Sequence, residues 1–181
     1  MSELFRNIES AKSEPSLSDI KQSVVSALSF GMLGEALKTV QESSRAQEVI
    51  TSPEIQDAAK EGLMIALAGG EMNGALQVIK AFKIPDETLA SPEVKAAVER
   101  GFVEGAWSTN GIIEIAKKFA LSKEILASPE VQEKAKRWIS VKLTSGDQGS
   151  AESALEAARY FSLPSEMIEA LENELAQRKN Q

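Results

Sequence analysis

The chain has 181 residues, a net charge of −7, and neither cysteine nor histidine. These absences exclude disulfides, thiol nucleophiles, imidazole bases and zinc sites of the Cys/His type. The acidic balance argues against a general nucleic-acid binder, because that affinity begins with cationic neutralisation of phosphates. Aromatic residues make up 5% of the chain, a composition that favours packed helices over sandwiches or barrels.

The beginning of the chain lacks the long apolar core of a signal peptide. No stretch approaches the eighteen or so apolar residues that a membrane-spanning helix needs. We therefore expect a cytoplasmic protein without a membrane partner, although an effector exported by another route would have the same features.

Residues 1–12 are predicted to form an N-terminal capping helix, with Leu4, Phe5 and Ile8 on one face. Residues 13–51 are predicted to form a degenerate repeat, because a shift of 39 residues pairs Val24 with Leu63 and Leu28 with Leu67. The helix start of that repeat is reduced to Ser13-Glu-Pro15.

Three clearer repeats follow, at residues 52–90, 91–127 and 128–164, and each begins with Ser-Pro-Glu. The serine is expected to cap a helix by accepting a first-turn amide, proline suits the first helical position, and glutamate suits the positive end of the helix dipole. Apolar residues then recur at helical spacing. A glycine-rich turn and a second helix follow, the second helix ending near Phe82, Phe119 or Phe161.

Residues 165–181 are predicted to form a C-terminal capping helix. Its apolar face would consist of Met167, Ile168, Leu171 and Leu175. Helix pairs of this kind leave apolar faces that only stacked neighbours can cover. The sequence therefore predicts an all-α fold, a short α-solenoid of about four antiparallel helix pairs with terminal capping helices, in a single domain. An irregular helical bundle is the alternative.

The repeated residues Ser-Pro-Glu-Val, Ala-Ala-Lys-Glu-Gly-Leu and the closing Phe-x-Ile/Leu-x-x-Glu-x-Leu resemble the Ser-Pro-Glu-Val repeats of long, uncharacterised bacterial proteins. The resemblance covers about residues 52–168 and implies a fold without implying an activity. A more distant resemblance, in general plan only, is to the tetratricopeptide and pentatricopeptide superfamily.

Two tryptophans depart from the repeat. Trp138 stands where the other repeats have Ser23, Gly62 and Gly101, and Lys142 follows it four residues later. Trp138 is interpreted either as a cover for the last core layer or as an exposed anchor for a partner. Trp107, beside a polar turn, is interpreted either as core or as a surface contact.

Residues 117–142 contain seven basic residues against three glutamates, so this region is positive in an acidic chain. The run predicts either a solvated helix face or a docking patch for an acidic protein or an RNA backbone, in which Tyr160 and Trp138 would stack. The candidate partner-binding residues are therefore Trp138, Trp107, Arg137, Lys142, Lys134 and Tyr160.

The sequence contains no constellation that predicts catalysis, a metal site or a cofactor. The leading functional hypothesis is a non-enzymatic protein–protein interaction module that binds a peptide or helix, as a monomer or weak homodimer. The alternatives are nucleic-acid binding through residues 117–142 and a structural, self-associating array fragment.

Overall fold

The computed structural model describes residues 15–105, 107, 111–144 and 148–179, and within these ranges it contains helices and no β-strand. The predicted all-α class is confirmed. In chain order the helices are α1 (Leu17–Ser29), α2 (Leu33–Glu42), α3 (Ala46–Ile50), α4 (Pro53–Gly69), α5 (Met72–Phe82), α6 (Asp86–Leu89), α7 (Pro92–Val103), α8 (Ile112–Lys118), α9 (Lys123–Leu126), α10 (Pro129–Thr144), α11 (Gln148–Tyr160) and α12 (Ser165–Lys179).

Long helices pack side by side in an order that follows the chain. Helix α4 lies against α1, α5 and α7, and α11 lies against α10 and α12. A continuous cluster of buried apolar side chains extends from Ile20 in α1 to Leu171 in α12. The junction between α7 and α10 differs from the others, because α7 has extensive contact with α4 and little contact with α10.

Proline occupies the start of α4 and of α7, which confirms that part of the Ser-Pro-Glu prediction. The predicted role of the serine hydroxyl is wrong, since neither Ser52 nor Ser91 caps its helix through its side chain. Ser52 lies two residues after the end of α3, and its buried hydroxyl donates to the carbonyl oxygen of Val49 at 2.9 Å. The hydroxyl therefore stabilises the end of the preceding helix.

Helix α1 begins later than the Ser13-Glu-Pro15 alignment suggests. Ser13 lies outside the described residues, and the N-cap of α1 is Ser16. The Ser16 side chain accepts from the Asp19 amide at 3.2 Å, and the Asp19 carboxylate accepts from the Ser16 amide at 3.2 Å. This reciprocal capping box pairs two otherwise free amides.

The three phenylalanines predicted to close second helices are each followed by a residue in the left-handed region. Lys83, Ala120 and Ser162 have φ values of 50°, 46° and 52°. In each case the next amide donates to a carbonyl five residues back, as Ile84 does to Ile79 at 3.2 Å. This is the Schellman arrangement that ends helices, and here it tolerates residues other than glycine.

Two glutamines make the same pair of hydrogen bonds at aligned positions. The Gln56 amide donates to the carbonyl oxygens of Ile50 and Phe82, both at 2.7 Å. The Gln132 amide donates to Leu126 at 2.7 Å and to Phe161 at 2.6 Å. Each glutamine thus joins the start of a long helix to the ends of two others. These bonds were not predicted from the sequence.

Ion pairs join helices that are neighbours in the structure. Lys21 of α1 contacts Glu54 of α4 at 2.7 Å, and Lys60 of α4 contacts Glu93 of α7 at 3.6 Å. A second series consists of Lys80–Glu114 at 3.2 Å, Lys117–Glu156 at 2.7 Å and Arg159–Glu172 at 2.6 Å. Exposed pairs of this type contribute little to stability individually. Each pair nevertheless shows that the two helices it joins lie side by side.

The two predicted capping helices are residues 1–12 and residues 165–181. Residues 1–12 lie outside the described residues. At the other end, α12 buries Leu171 and packs Met167, Ile168 and Leu175 partly against the core.

Candidate functional site

Three side chains on one face of α10 replace small residues. Alignment on Ser-Pro-Glu places Lys134, Trp138 and Lys142 at positions that are small in the two preceding repeats. These are Ala58, Gly62 and Ala66 in α4, Ala97 and Gly101 in α7, and Gly105 just after the end of α7. These positions recur every four residues, so they share a helix face. The exchanges at Trp138 and Lys142 were predicted from the sequence, but the one at Lys134 was not.

The small face brings neighbouring helices together in the first part of the chain. A Cβ on Gly62 would lie 3.2 Å from the side chain of Leu28, and one on Gly101 would lie 1.8 Å from the carbonyl oxygen of Leu67. Since α10 carries long side chains on this face, it cannot approach α7 in the same way. The replaced face therefore explains the slight contact between α7 and α10.

Lys134 extends from α10 to the end of α7. Its ammonium donates to the carbonyl oxygens of Val103 and Gly105, both at 2.6 Å. Helix α7 ends early, at Val103, and a cation at a helix C-terminus pairs with the free carbonyls and the negative end of the dipole. Burial lowers the pKa of Lys134, while Glu104 and Glu130 oppose that shift. Lys134 therefore joins two helices and is not a free surface cation.

Trp138 is half-buried, packs against the core and lines a cavity of about 320 Å³. The cavity lies between α8, α10 and α11, and its other walls include Ile113, Glu114, Lys117 and Ser153. The ammonium of Lys142 lies 5.3 Å from the centre of the indole ring, within the range of a cation–π contact. Trp138 therefore packs partly against the core and also lines the cavity, while its role as an anchor for a partner stays a prediction.

Trp107 belongs to an aromatic cluster. Its ring centroid lies 5.4 Å from that of Phe102 and 5.2 Å from that of Phe161, and its Nε1 donates to the Phe102 carbonyl at 3.3 Å. Edge and tilted contacts at these separations are favourable for aromatic rings. Trp107 is half-buried, and its contacts favour the core interpretation over a surface contact.

The remaining predicted residues, Tyr160 and Arg137, are not among those that line the cavity beside Trp138. Tyr160 is half-buried, lies edge-on to Phe161 at 5.5 Å and has the Lys117 ammonium 5.7 Å from its ring centre. Burial raises the pKa of Tyr160, and Lys117 opposes this shift. Arg137 is exposed on α10.

Contacts within the chain already involve much of the basic run. Lys117 pairs with Glu156 at 2.7 Å, Lys136 with Glu133 at 3.9 Å, and Lys134 with the end of α7. The run therefore does not form one uniform positive surface.

A second surface was not predicted from the sequence. Phe30, Met32 and Ile65 are large apolar side chains with exposed fractions of 77%, 42% and 49%. A Cβ on Gly31 would lie 3.6 Å from Ile65, so the Ile65 side chain lies beside the turn that carries Phe30 and Met32. These three residues, the comparison surface, form a patch within the range found on monomers.

Among the described residues, no group of three or more acidic side chains is placed to hold a metal ion, and the chain has no histidine or cysteine to join one. No helix in the same part of the chain is both long and apolar enough to cross a membrane.

The chain was also compared with known proteins. Neither family models, nor curated proteins, nor solved structures give a match. We therefore infer a function from the geometry of the α7–α10 junction and of the cavity beside Trp138.

Proposed function

We propose that this chain is a short α-solenoid that acts as a non-enzymatic scaffold and binds a peptide or helix in the cavity beside Trp138. The solenoid part of the proposal is supported by the order of packing, in which α4 contacts both α1 and α7. It is also supported by the glutamine bonds and ion pairs that recur at aligned positions. Stacked helix pairs create the extended surfaces that repeat proteins use for binding.

The observation that carries the binding proposal is the open cavity of about 320 Å³ between α8, α10 and α11. Its volume lies at the lower end of the range for ligand sites and suits one or two side chains of a partner. Trp138 and Ile113 supply apolar walls, while Glu114 and Lys117 supply polar groups. Tryptophan is enriched among the residues that dominate the energy of protein interfaces.

The contacts of the basic run give no comparable support to nucleic-acid binding. Lys134 is held by α7, Lys117 is paired with Glu156, and the ammonium of Lys142 lies over Trp138. Neutralising phosphates would require several cations to face the same side without such partners.

The proposal is tested by selecting peptides from a displayed library against the whole protein and measuring their affinity by calorimetry. Ser153 lines the cavity and is half-buried, so Ser153→Phe would fill the cavity while leaving Trp138 in place. We expect Ser153→Phe and Trp138→Ala each to weaken binding at least tenfold. Circular dichroism of each variant verifies that the helices remain folded.

Phe30→Ser is the matched control, since it removes an exposed aromatic side chain from the comparison surface. It should leave the affinity unchanged. If the selected peptides bind both cavity variants as tightly as the parent, or lose affinity only in Phe30→Ser, the cavity is not the binding site.

A further inference from the structure

The packing between long helices is uneven along the chain. At the α1–α4 and α4–α7 junctions, Gly62 and Gly101 allow the two helices to pack closely, and each junction has an ion pair. Both features change at the α7–α10 junction. The small face becomes Lys134, Trp138 and Lys142, and the positions aligned with Lys60 and Glu93 become Glu99 and Glu130. Two acids occupy the aligned positions where the other junctions have a cation and an acid.

The contacts that join helices α10 to α12 to the rest of the chain are few and of a different type. They include the two hydrogen bonds from Lys134 to the end of α7, the contacts of Phe161 with Phe102 and Trp107, and the Lys117–Glu156 pair. Beyond the junction, α11 packs extensively on both α10 and α12. Helices α10 to α12 therefore contact one another more than they contact the rest of the chain.

In a stacked array, stability is approximately the sum of each unit's own stability and the energies of its interfaces with neighbours. An array with one weak interface opens there first, and the parts on either side then unfold separately. We infer that α10, α11 and α12 open as one cooperative unit, at a free energy below that of global unfolding, while α1 to α7 stay folded. This inference depends on the packing of the junction and not on the proposed peptide site.

Native-state hydrogen exchange of the full chain, followed by mass spectrometry at increasing urea concentrations, tests the inference. We expect amides in α10 to α12 to share one opening free energy, lower than that of amides in α4 and α7. If amides in all five helices exchange only in one global step, the inference is wrong.

Lys134→Met tests whether the junction sets that opening. It retains most of the apolar stem but removes both hydrogen bonds to α7. Hydrogen bonds made by charged groups contribute enough to stability that their loss should raise exchange in α10 to α12 about tenfold. Exchange in α1 and α4 should remain unchanged.

Lys118→Met is the matched control, because Lys118 is an exposed lysine on α8 in the same basic run. It should change exchange in neither part of the chain. An equal acceleration of exchange throughout the chain by Lys134→Met would contradict the inference. If Lys134→Met does not fold, the hydrogen exchange of the parent protein alone decides whether α10 to α12 open before the rest of the chain.

Discussion

Gly101 lies so close to Leu67 that a Cβ atom on Gly101 would be 1.8 Å from the Leu67 carbonyl oxygen. Backbone meets backbone here, so no side-chain rotation can make room. Glycine is therefore required at this position by the approach of α7 to α4, although glycine is a poor helix former.

We predict that Gly101→Ala lowers the free energy of unfolding by about 1–3 kcal/mol, because overpacking forces backbone to move. Urea denaturation followed by circular dichroism measures this change. Gly34→Ala in α2 is the control, since a Cβ there would meet open space. That variant should be neutral or slightly stabilising, and an equal loss in both variants would contradict the steric explanation.

The glutamine bonds predict that losing a glutamine at residue 56 lowers stability and that gaining one at the aligned residue 95 raises it. Gln56→Leu should lower the free energy of unfolding by about 1–3 kcal/mol, because two carbonyl groups lose their donor.

Lys95 occupies the aligned position in α7. Lys95→Gln should raise stability by up to about 1 kcal/mol if its amide joins the aligned carbonyls of Leu89 and Phe119. Thermal and urea unfolding measure both changes, and a loss of stability in Lys95→Gln would show that these carbonyls are not placed to accept.

The pair Lys21–Glu54 predicts a dependence of stability on pH. The hydrogen bond from Lys21, together with the Glu54 backbone amide, holds the pKa of Glu54 below its usual value of 4.5. A carboxylate with a lowered folded-state pKa stabilises the protein above its unfolded-state pKa, and this contribution is lost as pH falls through the folded-state pKa. Stability should therefore decline below about pH 4.5, partly through Glu54.

Lys21→Met should make this acid decline shallower, as measured by unfolding at a series of pH values between about 3 and 7. Lys38→Met is the control, because Lys38 is exposed on α2 and also has a glutamate nearby, Glu42 at 3.8 Å. An identical pH profile in the parent and in Lys21→Met would refute the assignment.

The two acids aligned at the α7–α10 junction suggest a stabilising change. Glu99→Lys places a cation at the position aligned with Lys60, while Glu130 already supplies an acid at the position aligned with Glu93. The change should raise the free energy of unfolding by about 0.2–1 kcal/mol. The gain should shrink as salt is added, because salt screens exposed pairs. Glu99→Gln removes the acid without adding a cation, so it should raise the free energy of unfolding by less than Glu99→Lys does. Equal gains in both variants would mean that no pair forms.

Local patterns in the sequence determined the helices of this protein. The positions of Pro53 and Pro92, the glycines near residue 70 and the apolar periodicity act within one or two helical turns. A reader of the sequence can therefore place α4, α5 and α7 without knowing their neighbours. The same local pattern predicted wrongly that the Ser52 hydroxyl caps α4, whereas this hydroxyl donates to the Val49 carbonyl of the preceding helix α3.

Tertiary structure alone decided what the unusual side chains do. Lys134 reaches carbonyls about thirty residues away, Gln56 reaches Phe82, and Trp107 meets Phe161. Each of these contacts depends on the distance and rotation between whole helices, which follow from the packing of many side chains together. Periodicity along one helix carries no information about that distance. For this reason the sequence marked Trp138 as unusual, while only the packing of α8, α10 and α11 placed a cavity beside it.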